Sequence, residues 1–289
     1  MHWFPIALSC ALLTAGCDAL SKRLVRDNDE WVTGTLLLGL SLLVLIPVFF
    51  VVEKQPVSVE LLIVLAVGLP VEVYAYYLFL QAIRMAPLSL TVPLLAFTPV
   101  FTILTAAVIV DEGISLTGGV GIFMVTAGAY LLNADLIILN LLAPIRAIFS
   151  NPGSRKMLFV AVLWSITSAL GKKGVLLYGA LPFAILLLFL ITGVFAVVSL
   201  TRIRRGNARV NISGTNLWLF LVGGLFMTGM EITHFVAMSL APVAYMISVK
   251  RLSMVFSVLL GWIFFGEQNI RYRLVGGALM VAGVFFLYE

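Results

Sequence analysis

Read as a string of apolar and polar positions, the chain alternates long apolar runs with short polar breaks. Ten such runs fall at 2–20, 31–52, 61–83, 88–110, 114–133, 157–178, 179–200, 217–240, 243–265 and 270–288. A helix needs roughly 20 apolar residues to cross a hydrocarbon core of about 30 Å, so each run is predicted to span a membrane once. The stretch 157–200 is too long for one span. It is broken at Gly171-Lys172-Lys173-Gly174 and again between Gly179 and Pro182, which predicts two helices and a tight turn. Two connections are longer. One is 134–156, in which 136–149 is expected to form a short interfacial helix. The other is 201–216, which carries Arg202, Arg204, Arg205 and Arg209.

Composition turns this pattern into a solvent assignment. Hydrophobic residues make up 62% of the chain, charged residues 11%, and mean hydropathy is +1.14. A soluble domain is roughly a quarter charged, so the expected solvent is lipid. Cys10 and Cys17 lie in the first run and are too few for a disulfide framework or a zinc site. The lead before that run is Met1-His2, without Lys or Arg, so the run is expected to be a retained helix and not a cleaved signal.

Sliding the chain against itself exposes a repeat. At an offset of 155, Ala86-Pro87 meets Ala241-Pro242, Val100-Phe101 meets Val255-Phe256, Glu112 meets Glu267, Gly121 meets Gly276 and Gly128 meets Gly283. At 150, Ala19-Leu20 meets Ala169-Leu170 and Lys22-Arg23 meets Lys172-Lys173. Five runs per half is an odd number, so the second half enters the membrane in the opposite sense. The expected architecture is all-α: ten transmembrane helices as two inverted five-helix repeats, 1–133 and 157–289, joined by a linker at 134–156. Carriers of this plan bind solute near the midplane, between the halves. Thirteen of the 18 Lys and Arg residues fall in connections on one side, and only Lys54, Lys172 and Lys173 on the other. The positive side is expected to be cytoplasmic, with both termini outward, in a bacterial plasma (inner) membrane.

Ionisable residues within apolar runs are costly and mark solute paths or mutual pairs. Glu72, Glu231, Lys250 and Arg251 are such residues. Counted from the turn at Ala241-Pro242, Glu231 and Lys250 lie some 12–15 Å deep at roughly 1.5 Å per residue, so they can meet near the midplane. Thr228, Glu231 and Phe235 share one helical face with His234 beside them; Glu72, Tyr76 and Phe79 share another. Three assignments stand open: a basic site for an anionic solute, structural neutralisation of two glutamates by two cations, or a carboxylate site for a cation or proton. Glu231 and His234 are also candidate proton carriers. Asp18, one turn from Lys22, is expected to form a local ion pair. Glu112 and Glu267 are expected to cap the helices that follow them.

The motif Ala86-Pro87-Leu88-Ser89-Leu90, Pro99-Val100-Phe101, Asp111-Glu112 and the glycines at 118, 119, 121 and 128, repeated as Ala241-Pro242, Gly266-Glu267, Gly276-Gly277 and Gly283, resembles the EamA-type members of the drug/metabolite transporter superfamily. That resemblance covers nearly the whole chain and implies a transporter. A shorter one, Ser248-Val249-Lys250-Arg251 with Phe256-Ser257, is similar to triose-phosphate translocators. It implies an organophosphate-like solute held by Lys250, Arg251 and either Lys172 or Lys173. The expected function is secondary transport of an anionic or zwitterionic metabolite by alternating access, with substrate residues Lys172, Lys250, Arg251, Glu72, Glu231, Tyr76, Thr228 and His234. The alternatives are export of cationic or amphipathic compounds through Glu72 and Glu231, or a lipid flippase. No Walker motif and no His ligand spacing point to an enzyme, a metal or a cofactor. Expected partners are the metabolite, membrane lipid and a coupling proton or counter-substrate, without nucleic acid, in a monomer or homodimer.

Overall fold

The computed structural model describes residues 2–132, 150–257 and 270–287, with backbone alone for Ser89 and 270–274. Among the described residues every regular element is helical. They are α1 (Trp3–Asp27), α2 (Glu30–Val51), α3 (Val59–Met85), α4 (Leu88–Thr91), a 3-10 segment (Val92–Phe97), α5 (Thr98–Ile109), α6 (Leu116–Leu131), α7 (Pro152–Tyr178), α8 (Ala180–Arg204), α9 (Gly214–Leu240), α10 (Val243–Lys250) and α11 (Ile270–Phe285).

Polar N-cap side chains start α2, α3, α6 and α7, satisfying N–H groups that the first turn leaves free. Asp29 accepts from the Trp31 N–H, Ser58 from Leu61 and Ser115 from Gly118. Asn151 accepts from both Gly153 and Ser154, and Pro152 takes the first helical position, so α7 begins at 152 and not at 157. The expected break at Gly171–Gly174 does not occur; α7 runs through it to Tyr178. Gly174 is small for a packing reason: the Phe183 ring occupies the space where a side chain would stand. The turn is made by one residue, Gly179, at φ +95°.

Among the described residues seven helices are long and apolar enough to cross a membrane on their own: α1, α2, α3, Val92–Ile109, α7, α8 and α9. Ten were expected. The fifth run yields only the 16 residues of α6, and the ninth and tenth extend in part beyond the described residues. The expected interfacial helix at 136–149, the end of the ninth run and Glu267 lie outside the described residues. Large apolar side chains face outward, as at Phe50, Val108 and Leu116, 79%, 86% and 88% exposed. Such a surface is at ease in lipid and not in water.

The helices pack in pairs across the halves: α1 on α9, α3 on α7, α2 on α8, and α6 on α11. Glycines set the closest of these. A Cβ on Gly121 would stand 2.7 Å from the Gly283 carbonyl oxygen, and one on Gly128 would stand 2.6 Å from that of Gly276. Small residues at such crossings let backbones touch, which substitutes for the hydrophobic drive that lipid removes.

Candidate functional site

The pairs enclose a cavity of about 140 Å³. Each wall is a helical stripe at i, i+3, i+4, i+7 spacing. From α1 come Thr14, Cys17, Asp18 and Ser21; from α7, Trp164, Thr167, Ser168 and Gly171. From α3 come Glu72, Tyr76 and Phe79; from α9, Met227, Met230, Glu231, His234, Phe235 and Met238. Lys250 and Arg251 enter at the C-terminal end of α10, and Leu95 enters from the 3-10 segment.

α10 is only eight residues long. Ser248 donates its hydroxyl to the Ala244 carbonyl, 2.7 Å away, a bond that tends to bend a helix. At Arg251 the ladder tightens, its N–H lying 3.2 Å from the Ile247 oxygen and 3.1 Å from that of Ser248. The chain turns at 251–252 and is helical again over 253–257. Two cations therefore sit at the negative end of a helix dipole, which favours them there.

Lys250 Nζ lies 3.3 Å from His234 Nδ1 and 3.4 Å from Met230 Sδ. An ammonium only donates, so Nδ1 accepts and the ring proton sits on Nε2. Arg251 is 4% exposed. Its guanidinium lies 6.0 Å from the Trp164 ring centroid, and its Nε has no hydrogen-bond partner. The Tyr76 hydroxyl is likewise buried without one. Ion pairs within 4.0 Å among the described residues are Arg23–Asp27, Arg84–Glu30, Lys172–Glu112 and Arg202–Asp29. None is in the cavity. Three carboxylates (Asp18, Glu72, Glu231) and two cations thus face one small space without closing on each other. Buried charge left unpaired is costly, so the arrangement is poised for a ligand carrying charge of its own.

Of the residues singled out from sequence, Glu72, Tyr76, Glu231, His234, Lys250 and Arg251 line the cavity, and two do not. Lys172 lies behind the wall. Its Nζ donates to the Met238 and Ala241 carbonyls at 2.7 and 2.9 Å and pairs with Glu112 at 3.3 Å. Thr228 donates to Gly224 O at 2.8 Å and lies 3.2 Å from Ser41 Oγ, joining α9 to α2. The sequence spacing pairs Asp18 with Lys22, but Lys22 donates to the Ile83 and Ala86 carbonyls, leaving Asp18 to the cavity. Glu112 does not cap the helix after it; it accepts the Val243 N–H at 2.8 Å, at the start of α10. Trp164 and Thr167 were missed altogether.

The sequence offsets reappear in the walls. Adding 150 to Thr14, Cys17, Asp18 and Leu38 gives Trp164, Thr167, Ser168 and Leu188; adding 155 to Glu72, Tyr76, Phe79 and Leu95 gives Met227, Glu231, His234 and Lys250. All sixteen line the cavity.

Similarity to known proteins agrees with a membrane fold. The model of the EamA-like transporter family matches residues 1–134 and 152–289. No curated protein matches. One solved crystal structure, described only as that of a protein, is similar with a TM-score of 0.75 at 16% identity, over 98% of this chain and 95% of that one. At that identity the likeness speaks to fold alone. The family match covers nearly the whole chain, and with the apolar helices it leads to one conclusion: this chain belongs to the EamA-like transporter family, as a multi-pass membrane transporter of small molecules.

Proposed function

We propose that the chain is a secondary transporter of a small zwitterionic metabolite, working by alternating access. The observation that carries this reading is the set of cations and carboxylates facing one cavity with no ion pair among them. A carboxylate or phosphate on the solute fits Arg251, whose planar fork suits bidentate oxygen pairs, with Lys250 adding a point charge. An amino group fits Asp18, Glu72 and Glu231 on the facing walls. Phe79, Trp164 and Phe235 supply apolar surface between the poles. With Lys172 engaged elsewhere, the anion site consists of two cations and not three.

Ten spans in two inverted five-helix repeats is the architecture that fits best. Its support is the reciprocity of contacts: α1 meets α9 as α3 meets α7, and Gly121 meets Gly283 as Gly128 meets Gly276. Contacts that exchange in this way are those of a two-fold axis. The positive face is assigned to the cytoplasm of a bacterial cell.

The test is solute counterflow in proteoliposomes with three related compounds: an amino acid, its deaminated acid and its amide. The amino acid is expected to exchange best, and each missing charge to weaken it roughly tenfold or more, the cost of a charge-assisted hydrogen bond. Exchange of the cationic amide or a cationic dye as fast as the amino acid overturns this reading in favour of cation export. Movement of a labelled phospholipid alone overturns it in favour of a flippase.

A further inference from the structure

Among the described residues two ion pairs tie the halves together outside the cavity, Arg202–Asp29 and the partly buried Lys172–Glu112. Glu112, in the α5–α6 connection, uses both oxygens. Oε2 accepts the Val243 N–H at 2.8 Å, and Oε1 is 3.3 Å from Lys172 Nζ. Lys172, on α7, donates in turn to the carbonyls of Met238 and Ala241, at the end of α9. Two side chains thus pin the α9–α10 turn, from the second half, to a loop of the first. Beside them the Tyr245 hydroxyl lies 3.0 Å from Ser115 Oγ and accepts the Ser115 N–H at 3.2 Å, and Gly118 leaves the space that the Tyr245 ring fills.

The position explains what this knot can do. Gly171 and Met238 line the cavity, so the knot stands directly at one end of it. The helix it holds by the first turn is α10, whose last residue is Lys250 and whose C-cap is Arg251. Eight residues at about 1.5 Å each make a rigid link of roughly 12 Å between knot and solute cations. At the opposite face Lys22 holds the carbonyls of Ile83 and Ala86, the residues that an offset of 155 carries to Met238 and Ala241. No acid within ion-pair distance of Lys22 is found among the described residues. The two faces therefore share the lysine clamp; at the Lys22 face the halves are bridged by Asp29 and Arg202, 2.8 Å apart, and the 155-offset counterpart of Glu112, Glu267, lies outside the described residues.

We infer that Glu112 and Lys172 form a latch that shuts one mouth of the cavity, and that α10 transmits the binding of solute at Lys250 and Arg251 to it. The inference rests on the alternating-access reading. A solute shifts a two-state equilibrium only through contacts that differ between states. Here the contact is made at one end of a helix and the latch is borne by the other.

The chain carries its own reporter. Cys17 lines the cavity, and Cys10, the second of its two cysteines, is buried beside the Met230 carbonyl. In a Cys10→Ala background, a membrane-impermeant maleimide is added to either face of oriented vesicles. The parent is expected to label slowly from the latch face. Glu112→Gln and Lys172→Met are expected to raise that rate roughly tenfold without raising it from the other face. Rates within twofold of the parent overturn the latch. Labelling needs no solute, so a wrong assignment of cargo leaves this result standing. Fast labelling of the parent from the latch face overturns the latch. A second measurement does not depend on how Glu112→Gln and Lys172→Met fold. Ser115→Cys with Tyr245→Cys, in a Cys10→Ala, Cys17→Ala background, is joined by a short bifunctional thiol reagent with a reducible link. Transport is expected to stop and to return on reduction. Unchanged transport while joined overturns the latch.

Discussion

Residues 92–97 and 247–252 stand 155 apart, and both interrupt a helix beside the cavity. The first half makes its interruption with proline: Pro93 opens the 3-10 segment and Pro99 opens α5. Proline withholds a donor and clashes with the preceding turn. The second half has Ser248 and Met254 at the matching positions and relies on the serine bond to Ala244. The first break presents Leu95 and Ala96, 2% and 1% exposed; the second presents Lys250 and Arg251. One backbone device thus serves two purposes, and only one half carries the cations. Glu72 matched by Met227, and Glu231 by Tyr76, repeat the lesson. The architecture is shared while the charge is divided.

That contrast can be broken at its strongest point by Arg251→Gln. Solute affinity is expected to fall about 100-fold, as for the loss of a bidentate charged contact of roughly 3 kcal/mol, measured by equilibrium binding. The melting temperature is expected to hold or rise, because the substitution removes a buried charge without an ion-pair partner. Next comes the shared framework. Gly128→Ala and Gly283→Ala, one in each half, are each expected to destabilise by about 1–3 kcal/mol from overpacking, by similar amounts, in detergent melts. Unequal losses argue against a symmetric scaffold. Copying one half into the other is milder. Lys250→Leu and Asp18→Ser are each expected to weaken the zwitterion about tenfold. Asp18→Ser is expected to leave the deaminated acid unaffected. The smallest effect belongs to Leu95→Met, a volume-conserving change expected to cost less than about 1.5 kcal/mol of stability and to leave affinity within threefold.

Much of this was legible in the chain, for reasons that differ by residue. The helices follow from run length, and Glu72, Glu231, Lys250 and Arg251 stand out because charge inside an apolar run needs a purpose. The errors share one cause, since local spacing cannot see a neighbouring helix. Asp18 and Lys22 are one turn apart and look like a pair, yet the lysine turns to α3, 61 residues on. Lys172 is carried to the solute by a resemblance a few residues long, whereas the geometry spends it on the end of α9. Glu112 precedes a helix it does not cap. One further signal lies in the sequence: Thr14, Cys17, Asp18 and Ser21 form a polar stripe on a helix, and the 150 offset carries it onto Trp164, Thr167, Ser168 and Gly171.

The glycine crossing of α6 and α11 has one more consequence. Gly121 and Gly128 lie on α6 itself, seven residues apart, and each touches the counterpart of the other. Two copies of α6 alone, laid against each other in opposite directions, would supply every glycine the crossing uses. The scaffold can be written once and read twice, whereas the chemistry of the cavity has to be spelled separately in each half.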